Sequence, residues 1–258
     1  MTVLTFANWI ADAPNWILSS PKWLQQLLFQ FYQVFVYENR WHFFTDGLVT
    51  TFVVTIGALI IGIVIGMIVA LIRTTHDSAS GKPNFILKIL NAICKIYVTV
   101  LRGTPLMVQL LIMGFVIMVP KGSFETTLCA VITLGINSGA YVAEIARSGI
   151  MSINAGQMEA GRSLGLNYAQ TMWHIILPQA LKNILPALGN ELIALLKETS
   201  LVTVIALQDV TKAAQVIVSK TYTAVIPYIS LALIYLVLVM ILTKLLELLE
   251  RRMRKSER

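Results

Sequence analysis

The chain has 258 residues, 57% of them hydrophobic and only 13% charged, with a mean hydropathy of +0.75. That much apolar surface exceeds what a soluble domain of this length buries, so lipid has to act as part of its solvent. A formal net charge of +7 would suit nucleic acid if the cations formed a patch on a soluble fold; here Lys and Arg flank apolar stretches, which argues against nucleic acid and reads as membrane topology.

Residues 1–45 come first and differ from the rest. Their first 13 contain no Lys or Arg, and no long apolar core leads to a small-residue cleavage site, so a cleaved signal peptide is not expected. Trp9, Trp16 and Trp23 recur at intervals of seven with Pro14 and Pro21 between them, and the prolines interrupt any single long helix. Ser20-Pro21 is suited to cap and open a new helix, on which Gln26, Gln30 and Gln33 share one face of residues 23–37. The pattern predicts an amphipathic extension lying at the membrane surface, with its aromatics at headgroup depth. The alternative is a further crossing, for which an uncharged run of about 15 residues is short of the ~20 that a bilayer requires.

Four segments then have the length and character of crossings. Residues 48–72 are uncharged over 25 positions, 104–120 over 17 with an extension back towards Ile96, 126–143 over 18, and 224–243 over 20, where Pro227 suits a first helical turn. In the first of these, Ala58, Gly62, Gly66 and Ala70 form a ridge of small residues that predicts close packing against another helix. Cys94 and Cys129 are far apart, with no His or acidic residue at metal-ligand spacing, and read as core residues; no metal site is expected.

A fifth segment, 183–206, is apolar but for Glu191, Lys197 and Glu198. Asn183, Asn190 and Lys197 recur at seven, and Glu191 and Glu198 do so on the adjacent row, so one face of the helix is polar. A charge at the centre of a lipid-facing helix costs about 2.5–3.5 kcal/mol, so that face has to meet other helices or a wet cavity. A polar packing seam and a transport pathway both meet this condition. Sorting the 20 Lys and Arg by five crossings places thirteen on one side and five on the other, with Arg102 and Lys197 in or close to the membrane. The excess marks the cytoplasmic side, which holds the C-terminus and puts the N-terminus outside. The expected fold is an all-α, polytopic membrane bundle of five core helices, with an N-terminal extension (1–45), a transmembrane domain (46–248) containing a cytoplasmic loop (150–180), and a basic tail (249–258).

Within that cytoplasmic loop stand Glu159-Ala160-Gly161-Arg162-Ser163-Leu164-Gly165 and then Ile175-Ile176-Leu177-Pro178. Local physics predicts a short helix ending near Gly165 and a second running to about His174, ended by Pro178. Glu-Ala-Gly, three residues, Gly, nine residues and Ile-x-Leu-Pro resemble the EAA loop of ABC importer permeases, with Gly161 where the family name has its second Ala. Arg102-Gly103-Thr104-Pro105-Leu106-Met107-Val108-Gln109 resembles an element of the polar amino acid uptake permeases. Residues 139–145 and Lys197-Glu198-Thr199-Ser200-Leu201 resemble two more. Taken together, the likeness runs over roughly residues 45–250 and leaves the N-terminal extension outside.

The resemblance implies a type I importer fold in a bacterial inner membrane, working by alternating access. It also implies two cytoplasmic ATPase subunits, a second permease copy or homologous permease, and an extracytoplasmic amino-acid-binding protein. The chain has no phosphate loop of its own, so it is read as a transporter subunit and not an enzyme, with ATP and Mg bound by the partner ATPase. By resemblance Glu159, Ala160, Gly161, Gly165, Leu177 and Pro178 form the coupling contact. For the substrate pathway the candidates are the polar groups at membrane depth: Arg102, Thr104, Gln109, Asn137, Glu144, Asn190, Glu191, Lys197, Glu198 and Thr199. An amino acid needs acceptors for its ammonium, for which Glu144 or Glu191 serve, and donors for its carboxylate, for which Arg102 serves. The competing reading has Arg102 and Glu144 pairing with other residues to hold the bundle. An ion channel lacks support in any repeated acidic ring or carbonyl filter, and a membrane hydrolase lacks an assembled base and nucleophile, since His42, His76 and His174 are widely separated.

Overall fold

The computed structural model describes residues 5–78 and 84–255. Lys82, which belongs to the thirteen cations above, lies outside the described residues, as do the end of the basic tail and the side chains of Arg254 and Lys255. Every regular element among the described residues is helical. The chain divides into two compact units, one of Met1–Thr50 with Gln208–Val237 and one of Thr51–Leu207 with Leu238–Arg258.

In the first unit three short helices precede the first long one: α1 (Phe6–Ala11), α2 (Asn15–Leu18) and α3 (Lys22–Phe31). Pro14 and Pro21 stand immediately before α2 and α3, where a missing N–H costs nothing. A π turn (Tyr32–Val36) and a 3-10 turn (Tyr37–Asn39) then separate α3 from α4 (Trp41–Asp77), and Glu38 and Asn39 adopt left-handed φ of 55° and 53°. Buried Arg40 fastens this corner, donating to the Gln33 carbonyl and pairing with Glu38, both at 3.0 Å. Val34 and Phe44 share a core cluster with Val210, Ala213, Ala214 and Ile217 of α11 (Val210–Thr221).

The second unit holds α5 (Phe85–Gly103), α6 (Leu106–Ile112), α7 (Ser123–Met151), α8 (Ala155–Ser163), α9 (Tyr168–Thr171) and α10 (Leu177–Glu198). The last helix, α12 (Val225–Lys255), runs from one unit into the other. By length and hydropathy α4, α7 and α12 are each sufficient for a crossing. Two further stretches suffice only when taken across a bend: Phe85–Gly103 with Leu106–Ile117, bent by 105°, and Tyr168–Ile205 with Val210–Thr221, bent by 49°.

The small-residue ridge of α4 lies against α7. An added Cβ at Gly62 would stand 2.8 Å from Ser138 Oγ, and one at Gly66 would stand 2.6 Å from Val142. From the other side, Gly135 and Gly139 admit Ile61 and Ile65. The α7 helix thus has neighbours on several faces, with Ala130, Leu134, Ala140, Ala143 and Ala146 fully buried.

Two local expectations change. The predicted span at 104–120 does not run back to Ile96 in one line, because the chain turns by 105° at Thr104-Pro105. Pro178 does not end a helix either. A π turn at Met172–Ile176 joins α9 to α10, and Pro178 falls in the first turn of α10, where its missing N–H is tolerated.

Candidate transport pathway and coupling segment

Thr104 is extended, with φ −118° and ψ 143°, and Pro105 has no N–H, so the break between α5 and α6 leaves backbone carbonyls without helical partners. Gln109 supplies them. Its Nε2 donates to the Leu101 carbonyl at 2.9 Å, to the Thr104 carbonyl at 3.2 Å and to Thr104 Oγ1 at 2.9 Å. From α7, Asn137 Nδ2 donates to the Leu101 carbonyl at 3.2 Å and to Gln109 Oε1 at 2.9 Å. Thr104, Gln109 and Asn137 therefore form one network that stabilises a bent backbone. Beside it lies a cavity of about 270 Å³ whose other walls, Thr133 apart, are apolar, among them Val100, Val108, Ile112 and Ile136. Arg102 places its guanidinium over the Tyr141 ring, 5.2 Å from the centroid.

Glu144 is already paired. Arg73 Nη1 donates to its carboxylate from α4, and three residues further along α7, Arg147 meets Asp77 at 3.2 Å. His76 Nδ1 lies 3.3 Å from the other oxygen of Asp77. The four charges alternate, with Arg73 and Asp77 one turn apart on α4 and Glu144 and Arg147 one turn apart on α7. This arrangement favours the competing reading, in which Glu144 pairs with another residue to hold the bundle.

On α10 the heptad pattern persists. Asn183, Asn190 and Lys197 are exposed, while Glu191 and Glu198 are half-buried on the row beside them. Asn183 donates to Ser152 Oγ at 2.9 Å, and Glu191 accepts from Ser138 Oγ at 2.7 Å. Glu198 lies within electrostatic reach of both Glu191 and Lys197. Thr199 is buried and donates to the Leu196 carbonyl at 2.7 Å, which ends α10 and opens the 3-10 turn Thr199–Ile205.

The segment after α7 is built of two capped pieces. Asn154 Oδ1 caps α8 by accepting from Gly156 N at 2.8 Å. At its other end Gly165 takes φ 84°, with Leu166 N bonded to the Gly161 carbonyl and Gly165 N to the Arg162 carbonyl, a Schellman closure that a Cβ would strain. Asn167 and Gln170 then open α9 with a reciprocal capping box. Of the expected contact residues, Glu159, Ala160, Gly165 and Pro178 face outward, whereas Gly161 and Leu177 are internal, Gly161 against Thr171 and Leu177 in a cluster with Ala146 and Ile150.

The sequence and the fold that carry these features both have counterparts among known proteins. The family model described as binding-protein-dependent transport system inner membrane component matches residues 62–255. The chain belongs to this family. Among its relatives, the arginine transport system permease protein ArtQ of Bacillus subtilis (strain 168) is 40% identical over 83% of this chain and 94% of its own length. The glutamine transport system permease protein GlnP of Escherichia coli (strain K12) is 35% identical over 81% and 92%. The crystal structure of an amino acid ABC transporter with histidines matches at a TM-score of 0.72 and 43% identity, covering 81% of this chain and 94% of that one. An inward-facing MetNI methionine ABC transporter, 18% identical, shares the fold at a TM-score of 0.67.

As a member of the family, the chain is a membrane-embedded permease subunit of an ABC transporter and not an enzyme, and such subunits work with ATPase and binding-protein partners. Sequence reasoning passed over Arg73, Asp77, Arg147 and Thr171. For the charges a signal was present, since opposite signs one turn apart near the same end of two apolar stretches are spaced to pair. Nothing in the pattern marks Thr171, which matters only because it packs on Gly161.

Proposed function

We propose that this permease passes a polar α-amino acid across a bacterial inner membrane by alternating access, with its N-terminus outside and its C-terminus in the cytoplasm. It does so beside a second permease, identical or homologous, above two cytoplasmic ATPase subunits that bind ATP and Mg, and beneath an extracytoplasmic amino-acid-binding protein. The row on α10 carries this reading. Asn190 and Lys197 are exposed on a helix of otherwise apolar character, next to Glu191 and Glu198. Such groups are tolerated at membrane depth where they meet water, substrate or another subunit. The relatives bear the names of arginine and glutamine permeases. Those two substrates share an ammonium and a carboxylate, and the row offers a partner for each.

Glu191, oriented by Ser138, and Glu198 accept the ammonium; Lys197 meets the carboxylate. Arg102, held over Tyr141, and the Thr104–Gln109–Asn137 network shape the wall of the pathway beside them. On the cytoplasmic side, Glu159, Ala160 and Gly165 present the surface that the ATPase grips. Closure of the ATPase pair then moves α8 as a rigid piece, and α7 and α10, which lead into and out of the segment, carry the movement into the bundle.

The test is uptake by the whole complex in proteoliposomes, screened over radiolabelled amino acids, sugars and inorganic anions. A charge-assisted hydrogen bond is worth about 1.5–3 kcal/mol, so Glu191→Gln and Lys197→Met should each lower uptake by about 10- to 100-fold without loss of assembly. Uptake confined to a sugar or an anion would refute the amino acid reading. Unchanged uptake in both variants would remove the assigned contacts and leave the transporter.

A further inference from the structure

The family match begins at residue 62, so the N-terminal helices lie outside it. They are nevertheless a built piece of structure. Phe6 and Trp9 of α1 each pack on Phe29 of α3 at 5.4 Å between ring centroids, and Trp9 also meets Tyr32 at 6.1 Å. Gln25 Nε2 donates to the carbonyls of Ile17, Leu18 and Ser20 at 3.1, 3.1 and 2.9 Å, which latches the end of α2 onto α3. Val34, just beyond α3, is fully buried in the cluster with α11.

One face of what this scaffold leaves outside is apolar, flanked by exposed Asn15, Ser19, Lys22 and Gln26. Trp16 is 63% exposed and Trp23 65%, and Leu27 and Phe31 continue the stripe at four-residue intervals along α3, at 44% and 49%. Over residues 5–36 the only charges are Asp12 and Lys22. A surface of this kind gives a soluble partner little to read by charge. It fits the boundary between headgroups and acyl chains, where tryptophan rings are favoured. The same compact unit also contains the first turns of α4 and the first half of α12. There Trp41, Val49, Val225, Ile229 and Leu233 are exposed on helices long enough to cross a bilayer. The apolar stripe of α3 thus continues a surface that already requires lipid.

We infer that residues 6–36 form a lipid-interface module, in which Trp16, Trp23, Leu27 and Phe31 insert at the headgroup boundary of the leaflet where α4 begins. The rest of α1–α3 holds that face rigid. The inference rests on membrane insertion of the permease and is independent of which solute it carries.

The experiment places single nitroxides on the complete transporter complex in nanodiscs of phosphatidylcholine and phosphatidylglycerol. Cys94 and Cys129 are replaced by Ala, and labels are attached through Trp16→Cys, Trp23→Cys, Leu27→Cys and, at the rim of the stripe, Lys22→Cys. Power saturation then compares collision with oxygen, which concentrates in acyl chains, and with a water-soluble nickel chelate. Oxygen should dominate at 16, 23 and 27 and nickel at 22. Nickel dominance at all four positions would place the stripe in water and overturn the inference. Low access to both agents would show a covering protein, and release of that protection by withdrawing the binding protein would name it. A check without cysteines uses brominated lipids as quenchers. Trp16→Phe and Trp23→Phe should each remove part of the fluorescence quenched by shallow bromines; if neither does, the inference fails.

Discussion

At the scale of single residues, Gly161 shows how a small departure from a family pattern acquires a physical cause. The EAA resemblance has Ala at this position, and the two residues differ by one methyl group. In the structure that methyl would stand 2.5 Å from Thr171 Cγ2 and 2.8 Å from its Oγ1. Thr171 cannot swing away freely, because it is buried and its hydroxyl donates to the Asn167 carbonyl at 3.0 Å. Overpacking of this kind costs about 1–3 kcal/mol. Gly161→Ala should therefore lower the thermal stability of the permease–ATPase complex and weaken substrate-stimulated ATP hydrolysis. Adding Thr171→Ala should recover most of both. A stable, fully coupled Gly161→Ala single variant would show that the close approach does not constrain the segment. Gln109 teaches a related lesson: its type and its place after Pro105 were visible, but its use as a carbonyl cap depends on a bend that only packing decides.

Between elements, the pair α4–α7 is joined twice over by different physics. Along its middle, Gly62, Gly66, Gly135 and Gly139 let the backbones approach, and dispersion replaces the hydrophobic effect as the attraction between helices in lipid. Towards the end of α7 that leads to α8, Arg73–Glu144 and Arg147–Asp77 take over. The side chains of Arg73 and Glu144 are 12% and 27% exposed, so the pair lies between an exposed bridge, worth about 0–1 kcal/mol, and a buried one, whose breakage costs about 3–5 kcal/mol. Glu144→Leu alone leaves a partly buried guanidinium without its partner and should destabilise the complex. Arg73→Met combined with Glu144→Leu should cost less than either change alone. A double-mutant cycle on the unfolding midpoint measures the coupling, and additive effects would show that the two residues do not depend on each other. The ridge of small residues on α4 was legible because it is periodic within one helix. The ion pairs were legible only as opposite charges one turn apart near the ends of two apolar stretches; which residues pair was not, because Arg73 and Glu144 stand 71 residues apart and meet only after α4 and α7 have packed.

For the molecule as a whole, hydropathy located the long uncharged stretches because it is a local property of the chain, but it passed over the first half of α5, whose apolar face is interrupted by Lys88 and Lys95. It did not tell a straight crossing from a bent one. Whether Thr104-Pro105 turns the chain depends on Gln109 and Asn137 reaching the freed carbonyls, and whether Pro178 ends a helix depends on the π turn before it. The number of crossings fixes which side the N-terminus occupies, and this is where the extension decides. Residues 22–36 amount to about 22 Å of helix at 1.5 Å per residue, against about 30 Å of hydrocarbon. The left-handed corner at Glu38 and Asn39 prevents this stretch from adding its length to α4. The extension should therefore lie on the surface, leaving five crossings, with the excess of cations inside. Single cysteines at Asn8, Lys121 and Gln157, on a background without Cys94 and Cys129, can be labelled in intact cells with a membrane-impermeant maleimide. Positions 8 and 121 should react from outside, and position 157, on α8, only after permeabilisation. If position 8 is protected like position 157, the N-terminal segment crosses the membrane and the count is six. If position 157 reacts in intact cells, the loop faces away from ATP, and both the orientation and the coupling assignment fall together.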